Sequence, residues 1–346
     1  MSKADVAAAI LWVGATFYAL FGGADFGGGF WDLFAGDSEK GRAPRMLIQR
    51  SLTPVWEANH VWLIFVLVVL WTGFSPAFEA IFSTLFIPLT LAAVGVVLRG
   101  SGFAFHHTAR RARGREAAQL LFGLSSILTP FFMGTVVGAI VGGRVPVGNA
   151  AGDSVSSWLN PLSILIGFLF VSTSAYLAAI FLVNESRRGG VPDLERYFAV
   201  RALAAAVVAG ALAVAGLIVI RDKAPYVYDG LTGEALPLVI VSLACGAAVL
   251  VLLFRGVHRG ARPLAVGAVA ALIWAWGIAQ HPYLLPQQLT IADAAAPSAT
   301  LTSVLIVFGV AVVIVIPAIG LLFTLVQRSY VQESTKPAPD RPPTAA

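Results

Sequence analysis

The sequence predicts an all-α, polytopic membrane protein with nine transmembrane helices, and three observations carry that reading. Of its 346 residues 58% are hydrophobic and 12% charged, with a mean hydropathy of +0.83, whereas soluble domains hold roughly 25% charged residues. Nine apolar runs follow one another at 6–34, 54–71, 78–98, 117–141, 158–183, 199–220, 236–254, 263–279 and 300–326, most of them near the ~20 residues that cross a bilayer. The cations then sort onto alternate connections. Lys40, Arg42, Arg45 and Arg50 follow the first run; Arg99, Arg110, Arg111, Arg113 and Arg115 the third; Arg187, Arg188, Arg196 and Arg201 the fifth; Arg255, Arg259 and Arg262 the seventh; Arg328, Lys336 and Arg341 the ninth. Only Lys3, Arg144, Arg221 and Lys223 remain for the other side. By the positive-inside rule the N-terminus is outside and the C-terminus cytoplasmic, as an odd number of spans requires.

Residues 1–326 therefore form one integral-membrane domain, and 327–346, rich in Pro, Ala and charge, form a solvated, disordered cytoplasmic tail. The 19 prolines and 34 glycines do not count against helix, because neighbouring spans can satisfy the backbone groups they free. A single cysteine, Cys245, excludes an intrachain disulfide. The first apolar run is too long, and too poor in cleavage context, for a signal peptide. The net charge of +5 serves orientation in this pattern and makes no case for nucleic acid.

Within the first span, Gly23 and Gly27 flank Asp25 as a small-xxx-small pair, so this face should meet protein rather than lipid. The surrounding glycines lack the spacing and the preceding strand of a phosphate-binding loop. The second span opens with Thr53-Pro54, a cap followed by a proline suited to the first helical turn, which puts Glu57 one turn in and His60 on the same face. An ionisable group in such a run is costly and marks a functional-site hypothesis; the plainer reading is that Glu57 complements the helix dipole. With span one running inward and span two outward, Asp25 and Glu57 lie at similar cytoplasmic depth. Two carboxyl groups so placed would titrate as a unit and could pass protons, with His60 as the next carrier.

The remaining signals are architectural. Gly134, Gly138 and Gly142 repeat every fourth residue and predict close helix packing. Trp12, Trp31, Trp56, Trp62, Trp71 and Trp158 fit an interfacial aromatic belt. Glu79 would cap span three from outside, and Asp293 would cap a helix or meet a partner. Of the five histidines only His60 falls in a span; His106, His107, His258 and His281 fall in connections, so no pair of axial haem ligands faces a common interior.

Two motifs, Gly23-Ala24-Asp25-Phe26-Gly27 and Pro54-Val55-Trp56-Glu57-Ala58-Asn59-His60-Val61-Trp62-Leu63, with the looser Asn160-Pro161-Leu162 and Thr290-Ile291-Ala292-Asp293-Ala294, resemble subunit II of the cytochrome bd-type quinol oxidases over almost the whole chain. The resemblance implies two four-helix bundles and one peripheral helix in a bacterial cytoplasmic membrane. It also implies a partner subunit I that holds haem b, haem d and the quinol site, with no haem here. A bound quinone in this chain and a small accessory subunit are further expectations, and the quinol would be menaquinol or ubiquinol. Such an oxidase reduces oxygen to water, and its cytoplasmic proton route would map onto Asp25 and Glu57, continuing to His60. The family often carries an acidic residue four positions before that aspartate, and an aspartate at position 57; here Phe21 and Glu57 stand there. The alternatives are a secondary transporter, for which a second copy of either motif is absent, and a purely structural partner subunit.

Overall fold

The computed structural model describes the backbone of residues 2–35, 39–52, 56–108 and 112–334, and their side chains apart from 39–40, 52, 56–58, 103–108, 112–118, 316, 319 and 322–334. The first span is one long helix with a fault in its middle. Helix α1 (Lys3–Phe17) passes through a π-helical turn (Tyr18–Gly22) into α2 (Gly23–Phe34). Ser2 starts it with a reciprocal cap, its hydroxyl accepting from the Asp5 amide at 3.1 Å while its own amide donates to Asp5 Oδ2 at 2.8 Å. After α2 comes α3 (Glu39–Leu52), where the sequence predicts a plain connection: Ile48 is buried, and Arg42 and Arg50 are exposed. That two-faced pattern suits a helix resting at a membrane interface.

Helix α4 (Trp56–Gly73) carries the second span; the Thr53-Pro54 start signal lies outside the described residues. Span three departs from expectation. The run from Phe78 is divided into α5 (Ser75–Thr84), bent from α4 by 117°, and α6 (Phe86–Thr108), which starts eight residues later than the hydropathy suggests. Two prolines explain the division. Pro76 opens α5, and Pro88 sits in the first turn of α6, where an absent N–H removes no intrahelical bond. Glu79 therefore lies inside α5 and does not cap span three.

The chain continues through α7 (Ala112–Val141), α8 (Pro161–Arg188), α9 (Pro192–Lys223), the short α10 (Pro225–Thr232), α11 (Leu236–Phe254) and α12 (Ala261–Gln280). Asn160 caps α8 by accepting from the Ser163 amide at 3.1 Å, and Pro161 follows at the first helical position. After α12 come a small hairpin, β1 (Tyr283–Leu285) and β2 (Leu289–Thr290), and the four-residue α13 (Ile291–Ala294). Asp293 accepts from the Thr290 hydroxyl at 2.6 Å and so takes part in the cap of α13, the first of the two roles its sequence context suggests. A separate unit, 297–346, holds α14 (Ser298–Ser334), whose helix runs past the expected end at 326; residues 335–346 lie outside the described residues.

Among the described residues seven helices are long and apolar enough to cross a bilayer, or eight if the bent pair α4–α5 is one span; Phe86–Gly102 is a shorter apolar helix. Helices α1, α2, α4, α6 and α7 pack together, α8, α9, α11 and α12 pack together, and the two groups meet where α8 lies against α2 and α7. Small residues set these approaches. A Cβ on Gly27 would overlap the Ser174 carbonyl, one on Gly134 would stand 2.7 Å from the Gly167 Cα, and one on Gly138 would overlap the Ser163 backbone. Two tryptophans act as struts: Trp12 Nε1 donates to the Ile273 carbonyl at 3.0 Å, tying α1 to α12, and Trp31 Nε1 donates to the Ala175 carbonyl at 2.8 Å, tying α2 to α8. Trp71, near the end of α4, is 63% exposed.

Candidate functional site

The glycines of α2 let a charged pair lie between helices. Asp25 is 2% exposed, as Gly23 and Gly27 imply, and its partner is Arg99 of α6, also 2% exposed. Arg99 donates from Nε to Asp25 Oδ2 at 3.1 Å and from Nη2 to Oδ1 at 2.8 Å, and Nη2 also reaches the Asp25 carbonyl at 2.8 Å. Its Nη1 donates to the Ser126 hydroxyl of α7. The guanidinium stands 4.2 Å from the Phe122 ring centroid and 5.1 Å from that of Phe26, a desolvated setting in which cation–π attraction is strongest. Gly29 makes room, since a Cβ there would overlap Ser126 Oγ and come within 2.8 Å of Arg99 Nη1. The glycine run thus has two separate uses, one toward the α8 backbone and one toward Arg99.

The cation sorting assigns Arg99 to the basic connection after span three; the structure places it, buried, within the apolar part of α6. The late start of α6 moves its end deeper along the sequence, so a residue one past the apolar run becomes an interior residue. Pro88 was the signal that could have found it. The positive-inside sorting loses one cation and keeps its sense.

His60, in the second turn of α4, is half-buried and meets the edges of Tyr18 and Phe26, with ring centroids 6.4 and 6.2 Å apart. Phe26 therefore touches His60 on one side and the Arg99 guanidinium on another. Tyr18 opens the π-helical turn, and its hydroxyl is buried with no hydrogen-bond partner among the described residues; π-turns recur at functional sites. Asn59, next to His60, is 7% exposed. Glu57 lies on α4, but its side chain is outside the described residues. The Phe26 ring is thus shared by His60 and by the Arg99 guanidinium that holds Asp25. Asp25 is ion-paired with Arg99, and the Glu57 half of the expected carboxylate pair lies outside the described residues.

Chemically the site is a fixed, charge-balanced node beside an imidazole. A bidentate guanidinium–carboxylate pair has its lone pairs largely taken, and removing one partner from such a pair typically costs about 3–5 kcal/mol. Outside the spans, the His258 ring and Glu195 meet at 2.5 Å, joining α9 to the α11–α12 connection.

Comparisons with known proteins agree with this architecture. The family model for "Cytochrome bd terminal oxidase subunit II" matches residues 4–326. A Bacillus subtilis protein assigned as a cytochrome bd menaquinol oxidase subunit II is 24% identical over 340 residues, covering 94% of this chain and 96% of that one. The Escherichia coli cytochrome bd-I ubiquinol oxidase subunit 2 is 26% identical over 126 residues, 36% of this chain and 32% of that one. The solved bd oxidase from Geobacillus thermodenitrificans superposes with a TM-score of 0.75 at 26% identity, over 94% of this chain and 98% of the matched one. The chain belongs to the cytochrome bd terminal oxidase subunit II family and is a membrane-spanning subunit of a bd-type quinol oxidase, a terminal oxidase of the respiratory chain.

Proposed function

We propose that this subunit supports a haem-bearing subunit I and supplies the cytoplasmic entrance for the protons that oxygen reduction consumes. The observation that carries this reading is the Asp25–Arg99 pair buried between α2 and α6, with His60 one ring away. Ionisable residues are retained inside membranes where an ion path needs them. In this reading Glu57 and His60 carry the proton, while Asp25, held by Arg99, keeps the passage polar. Asp25's share differs from that of a free carboxylate, because its oxygens are already bonded to Arg99.

The orientation follows the cation sorting, N-terminus outside and C-terminus cytoplasmic, with nine spans as two four-helix bundles and a peripheral helix. The haems b and d belong to subunit I, the quinol is of the menaquinol or ubiquinol class, and a structural quinone and a small accessory subunit complete the expected assembly. If the quinol releases its protons outside and oxygen takes them from the cytoplasm, each charge moved works against roughly 2.3 kcal/mol per 100 mV.

The purely structural reading has one specific observation in its favour: the same ion pair can serve simply to lock three helices. The two readings separate on turnover. Glu57→Gln keeps shape and removes the titrating proton, whereas Glu57→Asp keeps the chemistry. Quinol-driven oxygen consumption and membrane-potential generation should fall far more in Glu57→Gln than in Glu57→Asp at unchanged haem spectrum. Equal activity of the two variants would leave the structural reading standing.

A further inference from the structure

A second feature lies away from the Asp25 site. Phe30, Trp31 and Phe34 of α2 and Val200, Arg201 and Ala204 of α9 line a shallow, open groove. Its lining is apolar except for Arg201. Phe34 is 57% and Val200 61% exposed, so the groove opens where lipid would lie. The Trp31 indole N–H is already given to the Ala175 carbonyl, and that leaves Arg201 as the polar group of the groove.

The Arg201 guanidinium rests 3.3 Å from the Tyr197 ring centroid and 5.9 Å from that of Trp31, and Nη1 donates to the Tyr197 carbonyl at 3.1 Å. Among the described residues no carboxylate pairs with it. Its stem lies along apolar surface while its head keeps open donors, the arrangement of a snorkelling cation at a headgroup. It lies level with the last turns of α2, over the Trp31 ring, on the side of the chain to which the cation sorting assigns the basic connections.

We infer that this groove binds an anionic diacyl phospholipid, with an acyl chain along Phe30, Val200 and Ala204 and the phosphate on Arg201. The charge favours an anionic lipid over a zwitterionic one, since no acidic side chain lines the groove to receive a second, cationic headgroup charge. The inference needs only that the chain sits in a membrane, and it stands independently of the proton route.

The test is native mass spectrometry of the purified two-subunit oxidase titrated with dioleoylphosphatidylglycerol and, separately, dioleoylphosphatidylcholine. The anionic lipid should bind about fivefold more tightly, the effect of one cation near a headgroup. Arg201→Gln should abolish that preference at unchanged haem content. Ala204→Phe, which fills the groove and keeps the charge, should weaken binding of both lipids. Equal affinity for the two lipids in the native oxidase overturns the assignment, as does phosphatidylglycerol binding that Ala204→Phe leaves unchanged. Displacement of phosphatidylglycerol by a neutral isoprenoid quinone at equal concentration also overturns it.

Discussion

Breaking the Asp25–Arg99 pair should be costly, and removing it whole should be much less so. Asp25→Asn leaves an amide oxygen for one of the two bonds at 3.1 and 2.8 Å, but it strands a guanidinium that is 2% exposed between three helices. Two charge-assisted bonds to the carboxylate are weakened, each worth about 1.5–3 kcal/mol. The stranded cation keeps its bonds to the Asp25 carbonyl and to Ser126 and its two ring contacts, so the net loss should fall near the ~3–5 kcal/mol of a broken buried pair. Arg99→Met should cost a similar amount by stranding the carboxylate. Asp25→Asn with Arg99→Met leaves no net charge behind, and Ser126 still donates to the Phe122 carbonyl at 2.6 Å, so the double variant should lose less than the sum by about 2 kcal/mol or more, the upper range for contacting residues. Thermal and denaturant unfolding of the detergent-solubilised oxidase, followed by release of the native haem spectrum, measures the cycle. Additive losses, or single variants that cost under about 1 kcal/mol, would refute the claim that this pair is a tightly coupled, desolvated unit.

Other consequences are open to simpler measurements. Gly27→Val places bulk against the Ser174 backbone and should sharply reduce the yield of assembled oxidase, while Gly246→Ala, at a position where a Cβ meets nothing within 4 Å, should not; quantitative immunoblotting of membranes decides it. In the connection before α8, the backbone amides of Ser156 and Val155 donate to Asp153 at 2.6 and 2.9 Å and hold its carboxyl below the usual value of 3.8. Because the folded value is the lower one, this turn is fully supported above the unfolded value and loses support as pH falls through the folded value. Hydrogen exchange at those two amides should be unchanged between pH 7 and 5 after correction for intrinsic rates, and protection lost by pH 5 would contradict the geometry. Replacing Cys245, the lone cysteine, gives a background for topology mapping: single cysteines at Arg259 and at Asp293 should label from the cytoplasm and from outside respectively, and the reverse pattern would overturn the orientation.

Hydropathy and charge made the class of this protein legible, because the bilayer requires each span to satisfy its own backbone and therefore writes a long apolar run for nearly every crossing. The glycine pairs were legible for a related reason: Gly27, Gly134 and Gly138 mark where two backbones approach, and the structure finds Ser174, Gly167 and Ser163 there. Asp25 could be read as protein-facing from its flanking glycines alone. Its partner could not. Arg99 lies 74 residues away, and whether it is a loop cation or a buried one depends on where α6 begins, which a bend after α5 decides and average hydropathy does not record. The indole bonds of Trp12 and Trp31 were hidden for the same reason, since a tryptophan at a span's end and one donating to a neighbouring helix have identical local sequence. The sequence by itself determined that the chain is a helical membrane subunit with ionisable residues at one end of its first two spans. Only the tertiary structure decided which charge meets which, because a buried charge takes whatever counter-charge the packing brings within about 3 Å, and that distance is set across helices rather than along the chain.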